Sequence, residues 1–400
     1  MSKINVLVLN SDTDGVGYFR CLMPHLCITD PDINIDVRLI MDSTLPLMDV
    51  NFLRQYQIIF YNKMLPINPQ YLDMFYNTLK QHNIKIIFDV DDYWILNNTH
   101  LNYKAWRDNK SDLQVIDSIK RADFVTTTTP IFADKIKEIN PNVIVLENAV
   151  NLKEQQWQSN KPQSDKIRFI WGGGISHMPD LALLKDEFKK FDKSFLQKTQ
   201  MYMCGFDLRI RLPDGKIMKD DINRSAWGKF ESIFTDNYKY VSSEYRQFLL
   251  IPEPGENYGY SEKFTGEWYQ RRWTKEILLY GTMYNEADVS LAPLKGEGHQ
   301  FNYHKSQLKL IEAGAHHCPL IASDYGPYTI DDIDGSKGGK QKGFLIDSRK
   351  NDWYDKMKWY SENPNAVKDH GENNYEYIKS NFEMNIVNKK RCDFYKQIVR

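Results

Sequence analysis

Near its start the chain reads Ile4-Asn5-Val6-Leu7-Val8-Leu9-Asn10, and the polar loop Ser11-Asp12-Thr13-Asp14-Gly15-Val16-Gly17 follows directly. The apolar run is far shorter than the roughly 20 residues that span a bilayer. It predicts a buried strand rather than a secretion signal. The loop precedes a helical pattern, and strand–loop–helix is the repeating unit of doubly wound α/β domains. We therefore expect an α/β fold and a cytoplasmic protein.

The same unit recurs along the first half of the chain. Short apolar runs predict strands at Asn5–Leu9, Asp36–Ile40, Gln57–Tyr61, Lys85–Asp89, Phe124–Thr127 and Val143–Leu146. Patterns of helical period separate them, at Gly17–Cys27, Pro69–Gln81, Leu113–Arg121 and Pro130–Glu138. These steps fit one doubly wound domain, which we place at residues 1–158.

The second half of the chain predicts a second α/β domain, at residues 159–373. The polar stretch Asn151–Pro162 lacks apolar periodicity and is interpreted as a linker. Strands are predicted at Ile167–Trp171, Gln200–Cys204, Val289–Pro293, Pro319–Ala322 and Gly343–Ile346, and a helix at Leu308–Ala315. A segment rich in aromatic and charged residues, about 207–275, is interpreted as an insertion into this domain.

Length and composition narrow the class of protein. A chain of 400 residues fits two domains. The formal net charge of −1 argues against non-specific attraction to nucleic acid or anionic membranes. The five cysteines include no Cys-x-x-Cys pair, which favours thiols in a reducing compartment over disulfides or a zinc site. The chain contains no GxSxG, HExxH or GxxxxGK[ST] motif, so hydrolase, zinc peptidase and P-loop functions have no support.

Two glycine loops follow predicted strands, where doubly wound domains bind ligands. In the first loop, Gly15 and Gly17 allow close approach of the backbone to an anion at a helix start; a tight turn without ligand explains them equally well. In the second loop, Gly172-Gly173-Gly174 could bind a diphosphate through backbone N–H groups, and His177 could contact a phosphate or a sugar. The alternative for the second loop is a helix start capped by Ser176.

The segment Lys305-Ser306-Gln307-Leu308-Lys309-Leu310-Ile311-Glu312 carries two cations and a carboxylate. On a helix, Lys305, Lys309 and Glu312 would share one face. The lysines suit a leaving diphosphate, and the carboxylate could accept hydrogen bonds from ribose hydroxyls. A solvated helix face explains the same spacing.

Asp91 and Asp92 follow the strand predicted at Lys85–Asp89. Clustered carboxylates at a strand end can orient an acceptor hydroxyl or bind a metal ion. The Asp-x-Asp pattern occurs in metal-dependent transferases of another fold, which the two predicted sheets fit poorly. A strand-terminal loop with Asp side chains as helix N-caps is the alternative.

The segment from Phe301 to Ser323, with Lys305, Ser306, Lys309, Glu312 and Pro319-Leu320-Ile321-Ala322, resembles the glycosyltransferase family 4-like group (group 1) of the GT-B fold. The strand Ala287–Leu294 also resembles that family, as does Glu147-Asn148-Ala149-Val150. The resemblance implies two facing Rossmann-like domains, with the donor bound mainly by the second. It also implies that the final helices, about 374–400, pack back on the first domain.

The resemblance assigns roles to five of these residues. Glu312 would bind the ribose, Lys305 and Lys309 the diphosphate, and Gly15 and Gly17 would lie near the donor. The expected donor site also includes Ser306, Gly172, Gly173, Gly174 and Ser176, and the expected catalytic residues are Asp91, Asp92, His177 and Lys305. Members of the family usually retain anomeric configuration and need no metal, so we expect no cofactor besides the nucleotide-sugar donor. The sequence departs from the family at His304, where the family has a glutamate.

The expected function is transfer of a hexose from a nucleoside-diphosphate sugar, with a UDP-sugar favoured, to a hydroxyl of a saccharide or glycan. One alternative acceptor is hydroxymethylated DNA, as some phage transferases use. Its support is a set of cations and interleaved aromatics: Arg209, Arg211, Lys216, Lys219, Arg224, Lys229 and Trp268-Tyr269-Gln270-Arg271-Arg272-Trp273. The other alternative is a non-catalytic nucleotide-sugar-binding protein, supported by the missing glutamate.

Overall fold

The computed structural model describes residues 3–40, 42, 44–207, 209–211, 216–219, 226–235, 268–296, 298–332, 345–347 and 352–399. The chain divides into two compact units. Unit 1 comprises Met1–Lys153, Gly298–Ile311 and Ile378–Arg400, and unit 2 comprises Glu154–Glu297 and Glu312–Tyr377. The predicted insertion lies mostly outside the described residues, which include none of 236–267.

Unit 1 is built on a parallel six-stranded sheet in the order β2-β1-β3-β4-β5-β6. Its strands are β1 Ile4–Asn10, β2 Ile33–Leu39, β3 Ile58–Asn62, β4 Lys85–Val90, β5 Phe124–Thr127 and β6 Val143–Val145. All six match strands predicted from the sequence. They were predictable because a parallel strand covered on both faces is a nearly continuous apolar run.

The two faces of this sheet have different covers. On one face Leu9, Tyr61 and Phe88 pack with residues of the intervening helices. On the other face Val8 and Phe60 pack with Cys21 of the first helical segment and Phe394 and Tyr395 of the last helix. The C-terminal helix therefore belongs to the core of unit 1.

Unit 2 contains a second parallel six-stranded sheet, in the order β11-β8-β7-β12-β13-β14. Its strands are β7 Ile167–Gly172, β8 Thr199–Phe206, β11 Tyr269–Trp273, β12 Val289–Ala292, β13 Leu320–Ala322 and β14 Leu345–Asp347. A separate antiparallel pair joins β9 Arg209–Arg211 to β10 Ile217–Lys219. The fold class predicted from the sequence, two Rossmann-like α/β units, is confirmed.

Strand β11 corrects the sequence analysis, which had placed Trp268–Trp273 in an insertion and had cited it in support of the alternative DNA acceptor. The strand pairs with β8 at the sheet edge, and Trp268 and Tyr269 are buried in the core. The two arginines are engaged within unit 2, Arg271 over the Phe206 ring at 3.9 Å and Arg272 with Glu286 at 2.8 Å. The hexapeptide therefore builds the sheet rather than a surface for nucleic acid.

The α-helices of the described residues alternate with the strands. They are α1 Met23–Leu26, α2 Val50–Leu53, α3 Leu72–Gln81, α4 Tyr103–Asp108, α5 Ser111–Arg121, α6 Pro130–Lys137, α7 Met178–Leu181, α8 Lys193–Lys198, α9 Ala226–Thr235, α10 Gln300–Tyr303, α11 Leu308–Ala315, α12 Trp353–Glu362, α13 Pro364–Asn381 and α14 Met384–Val399. A π-helical turn, Gly17–Leu22, precedes α1. Short 3-10 turns occur at Pro69–Tyr71, Gln155–Trp157, Ile175–His177, Ala182–Leu184, Glu187–Lys190, Tyr280–Glu286 and Gly326–Asp332.

The stretch interpreted as a linker is docked rather than solvated. Gln156 and Trp157 are buried, and Gly281 N–H donates to the Gln156 side chain at 3.2 Å. The Gln156 carbonyl lies 2.8 Å from His316 Nε2. The polar pattern failed to reveal this because the segment is mainly polar and one large apolar side chain, Trp157, is buried at its centre.

Residues 298–311 group with unit 1, although the sequence analysis had placed them in the second domain. Phe301 packs on the core of unit 1, and the His304 ring lies 4.7 Å from Tyr93 and 5.5 Å from Phe132. These aromatic contacts explain the grouping.

None of the five cysteines, all in described segments, forms a disulfide.

Candidate functional site

A row of polar side chains crosses the carboxyl edge of the unit 1 sheet. Asn62 is in register with Asp89, Asp89 with Thr126, and Asn10 follows Leu9, the partner of Tyr61. In-register residues of parallel strands point to the same face, so the four side chains continue the face that carries Val8 and Phe60. All four are at most 2% exposed. We call Asn10, Asn62, Asp89 and Thr126 the polar row.

One half of the polar row is neutralised by a buried guanidinium. Arg20 donates to Asp89 through Nε at 3.0 Å and Nη2 at 2.7 Å, and Thr126 Oγ1 donates to Asp89 at 2.7 Å. Arg20 Nη1 also donates to the Leu146 carbonyl at 2.7 Å. Two-point pairing of this kind fixes both groups in place. Asp89, the first member of the predicted acidic cluster, is therefore engaged structurally.

The same guanidinium connects the polar row to a predicted donor-site residue. Arg20 Nη1 donates to Asn148 Oδ1 at 3.1 Å, and Asn148 Nδ2 donates to Ser306 Oγ at 3.0 Å. Ser306 lies between α10 and α11, within unit 1. The carboxyl edge of this sheet and the segment before α11 are thus joined by one hydrogen-bonded chain.

The first glycine loop already contains an anion at its helix start. Asp12 Oδ1 accepts from Gly17 N–H at 3.1 Å, and Asp12 Oδ2 accepts from Lys63 Nζ at 2.6 Å. The loop needs glycine at position 17, because a Cβ there would lie 1.9 Å from the Asp12 carbonyl oxygen. Gly15 has a φ of +37° and open space around it. The Asp12 carboxylate occupies the position predicted for a ligand phosphate.

Asp91 and Asp92 leave the sheet just beyond the polar row. Asp91 is half-buried and Asp92 exposed. Burial, reinforced by the neighbouring carboxylates of Asp92 and Asp89, raises the pKa of Asp91 to about 8. A carboxyl group with such a pKa exchanges its proton near neutral pH, as acid–base chemistry requires.

In unit 2, the Gly172–Gly174 loop follows β7 and is tightly packed. A Cβ on Gly172 would lie 2.7 Å from Met283 Cε, and one on Gly173 would lie 2.8 Å from the Trp171 ring. Gly173 N–H donates to the Cys204 carbonyl at 3.2 Å, so this amide serves the protein itself. Gly174 is exposed with open space beside its Cα. It is therefore the glycine of this loop best placed for backbone contact with a ligand.

His177 is held by a buried carboxylate. Its Nδ1 lies 3.0 Å from Asp180 Oδ2, and Asp180 Oδ1 accepts from Lys295 N–H at 2.8 Å in the loop after β12. Asp180 is 3% exposed, so this carboxylate is fixed in place and orients the imidazole. Ser176 lies inside the 3-10 turn, and Gly174 occupies the N-cap position. The alternative in which Ser176 caps this helix is therefore wrong.

Glu312 is buried on α11 rather than solvated. It is 1% exposed, and its Oε2 accepts from Tyr284 Oη at 2.8 Å. Burial, followed by the Glu312 charge, raises the pKa of Tyr284 well above its ordinary value, so the phenol remains a donor. Because α11 begins at Leu308, Lys309 shares the helix with Glu312, whereas Lys305 precedes it and lies over the Phe301 ring at 5.1 Å. The expectation of one helix face for all three residues is wrong for Lys305.

His304, at the position where the resembling family has a glutamate, is a buried packing residue. Its Nδ1 lies 2.8 Å from the Gln300 carbonyl, and the ring contacts Tyr93 and Phe132. Burial lowers its pKa, so the ring is neutral at pH 7. The imidazole cannot replace the charge of a carboxylate.

Within the described residues, no group of three or more His, Cys, Asp or Glu side chains is arranged to hold a metal ion. No helix in that part of the chain is sufficiently long and apolar to cross a bilayer. The sequence analysis assigned no role to Asn10, Asn62, Asn148 or Asp180. The recurrence of Asn or Asp at the ends of β1, β3 and β4 was a signal that could have found the polar row.

No family model matches the chain, and no curated protein matches it either. Solved structures match over the full length. HepE of Anabaena, solved with UDP, has a TM-score of 0.61 at 10% identity and covers 99% of this chain and 100% of its own. A glycosyltransferase of Rickettsia africae has a TM-score of 0.60 at 12% identity, and the match covers 100% of this chain and 99% of the Rickettsia chain. TarM has a TM-score of 0.53 at 15% identity and covers 86% of this chain and 57% of its own. The chain has the fold of the GT-B glycosyltransferases.

Proposed function

We propose that this protein is a glycosyltransferase that transfers a hexose from a UDP-sugar to a hydroxyl of a saccharide or glycan. The observation that carries the proposal is the buried Glu312, aligned by Tyr284 on a helix of a Rossmann-like unit. A buried, hydrogen-bonded carboxylate suits the cis hydroxyls of a ribose. The full-length fold similarity to HepE, which was solved with UDP and with UDP-glucose, supports the same donor class.

Other residues have the chemistry to bind a diphosphate. His177, oriented by Asp180, and the backbone at Gly174 would contact phosphate oxygens. Lys305 and Lys309 would neutralise the leaving diphosphate. Asp91 or Asp92 of unit 1 would orient the acceptor hydroxyl. The roles of Lys305 and Lys309 follow the family resemblance, whereas those of His177, Gly174, Asp91 and Asp92 follow from the chemistry of these groups.

The chemical step is a substitution at the anomeric carbon. The bond from this carbon to the diphosphate oxygen breaks, and a bond to the acceptor oxygen forms. The acceptor proton passes to the departing diphosphate, as expected if configuration is retained. We propose that the step needs no metal ion, so that EDTA leaves the transfer rate unchanged.

A thermal-shift panel of nucleoside diphosphates and nucleotide sugars tests the donor site. A ligand at 100 times its Kd stabilises the native state by about 2.7 kcal/mol. We expect UDP and a UDP-sugar to raise the Tm of the wild type and to lose this effect in Glu312→Gln. Glu187→Gln is the matched control, because Glu187 is a buried carboxylate of unit 2 that serves Tyr354 and Lys190 instead. A folded wild-type protein that responds to no nucleotide would refute the proposal.

A further inference from the structure

Two carboxamides of the polar row have unpaired atoms. Among the described residues, neither Oδ1 nor Nδ2 of Asn10 has a hydrogen-bond partner, and Asn62 Nδ2 has none. Both side chains are 0% exposed. A buried polar atom without a partner is unfavourable and is rare in folded proteins. The side chains of Asp89 and Thr126 are hydrogen-bonded, so within the polar row the missing hydrogen bonds are those of Asn10 and Asn62.

The first glycine loop covers these two side chains. Ser11 N–H donates to Asn62 Oδ1 at 3.2 Å. A Cβ on Gly17 would lie 2.7 Å from Asn10 Oδ1, so the loop backbone rests directly on this carboxamide. With the loop 11–17 in this position, both side chains are inaccessible to solvent.

The ion pair between the loop and the end of β3 is weak, and the other bonds of the loop are single hydrogen bonds to Asn62 and within the loop itself. Asp12 and Lys63 form an ion pair of 2.6 Å, but their side chains are 33% and 48% exposed. Ion pairs at such exposure contribute little stability and are screened by salt. Lys63 has a φ of 60°, which is uncommon for a residue with a Cβ. Gly15, at positive φ in open space, gives the loop a flexible position.

The side chains of Asn10 and Asn62 suit a neutral ligand with several hydroxyl groups better than an anion. A carboxamide offers both donors and an acceptor, which matches neighbouring hydroxyl groups. An anion at this loop would meet the Asp12 carboxylate, which already accepts from Gly17 N–H. The position, at the carboxyl ends of parallel strands, is where doubly wound sheets bind ligands.

We propose that Asn10 and Asn62 form a subsite for adjacent hydroxyls of the acceptor saccharide, exposed when the loop 11–17 opens. The inference rests on the proposed function and names where the acceptor binds. Opening of the loop would offer the unpaired carboxamide atoms to the hydroxyls of the saccharide.

Calorimetric titration tests the subsite, with methyl α- and β-glycosides of glucose, galactose, mannose and N-acetylglucosamine as probes, in the presence of UDP. Asn10→Leu replaces both unpaired atoms with an apolar group of similar shape, so it should fold at least as well as the wild type. It should bind the best glycoside about tenfold or more weakly. Lys63→Met should strengthen binding up to about fivefold, because the closed state loses its ion pair.

Asn34→Leu is the matched control, since Asn34 pairs with Asn5 at the opposite edge of the same sheet. It should leave glycoside affinity unchanged. The proposal is overturned if no glycoside binds the wild type, or if Asn10→Leu retains wild-type affinity. UDP binding, measured in the same titrations, separates this outcome from failure of the proposed function. UDP binding without glycoside binding refutes the subsite alone, and absence of both refutes the transferase.

Discussion

The buried pair of Arg20 and Asp89 allows a quantitative test of the unit 1 site. Both side chains are 1% exposed, so neither charge is solvated. In Asp89→Ala, the Arg20 guanidinium keeps its bonds to Leu146 and Asn148 but loses its counter-charge. Removing one partner of a buried ion pair destabilises a protein by about 3–5 kcal/mol, a large part of a typical total stability. We expect a loss of that size in the free energy of unfolding.

Urea denaturation followed by circular dichroism measures the effect. Asp393→Ala is the control, because the Lys389–Asp393 pair is exposed at 78% and 63% and should change stability by at most about 0.5 kcal/mol. The double variant Arg20→Met/Asp89→Ala should lose less than the sum of the single variants, since the two residues interact directly. A loss below about 1 kcal/mol in Asp89→Ala would refute the buried ion pair.

Three further predictions concern other parts of the fold. Gly205→Ala should destabilise unit 2 and disturb the Gly172–Gly174 loop, because Gly205 has a φ of +100° and its Cβ would lie 2.3 Å from the Gly173 carbonyl oxygen. Gly174→Ala should leave the stability towards urea unchanged, because a Cβ there meets open space, yet it should weaken UDP binding. Asp91→Asn should gain stability relative to the wild type as pH rises from about 4 to 8, because the folded wild type keeps the Asp91 proton that its unfolded state releases over that range. Above pH 8 the difference in stability should be constant. Tm values of both proteins measured against pH check this. Burial lowers the pKa of His316 to about 3, so the wild type should lose stability relative to His316→Gln as pH falls from 6.5 towards 3. A stability difference between the two proteins that stays constant across that range would contradict this prediction.

Most strands of the two sheets were predictable because they are short, largely apolar runs between polar loops. Strand β11 was not, because Tyr269-Gln270-Arg271-Arg272-Trp273 carries two charges. These charges are accommodated by Phe206 and Glu286, which are distant in sequence. A charged edge strand is recognisable only once its partners are known.

The candidate site was predictable only in part. Glycine loops and the α11 segment attract attention as motifs, but single Asn residues at strand ends look like ordinary loop residues. Sheet register brings Asn10, Asn62 and Asp89 into one row, and register depends on long-range pairing. Similarly, the start of α11 at Leu308 separates Lys305 from the helix, which spacing alone could not indicate.

Release of UDP from UDP-glucose and related donors, without added acceptor, tests the central claim most directly. Transferases of this kind hydrolyse their donor slowly when water replaces the acceptor. We expect the wild type to release UDP faster than buffer alone, and Glu312→Gln to do so at least about tenfold more slowly, consistent with loss of a hydrogen bond to a charged group. Release no faster than in buffer from a folded wild-type protein, or equal release by both proteins, would contradict the account.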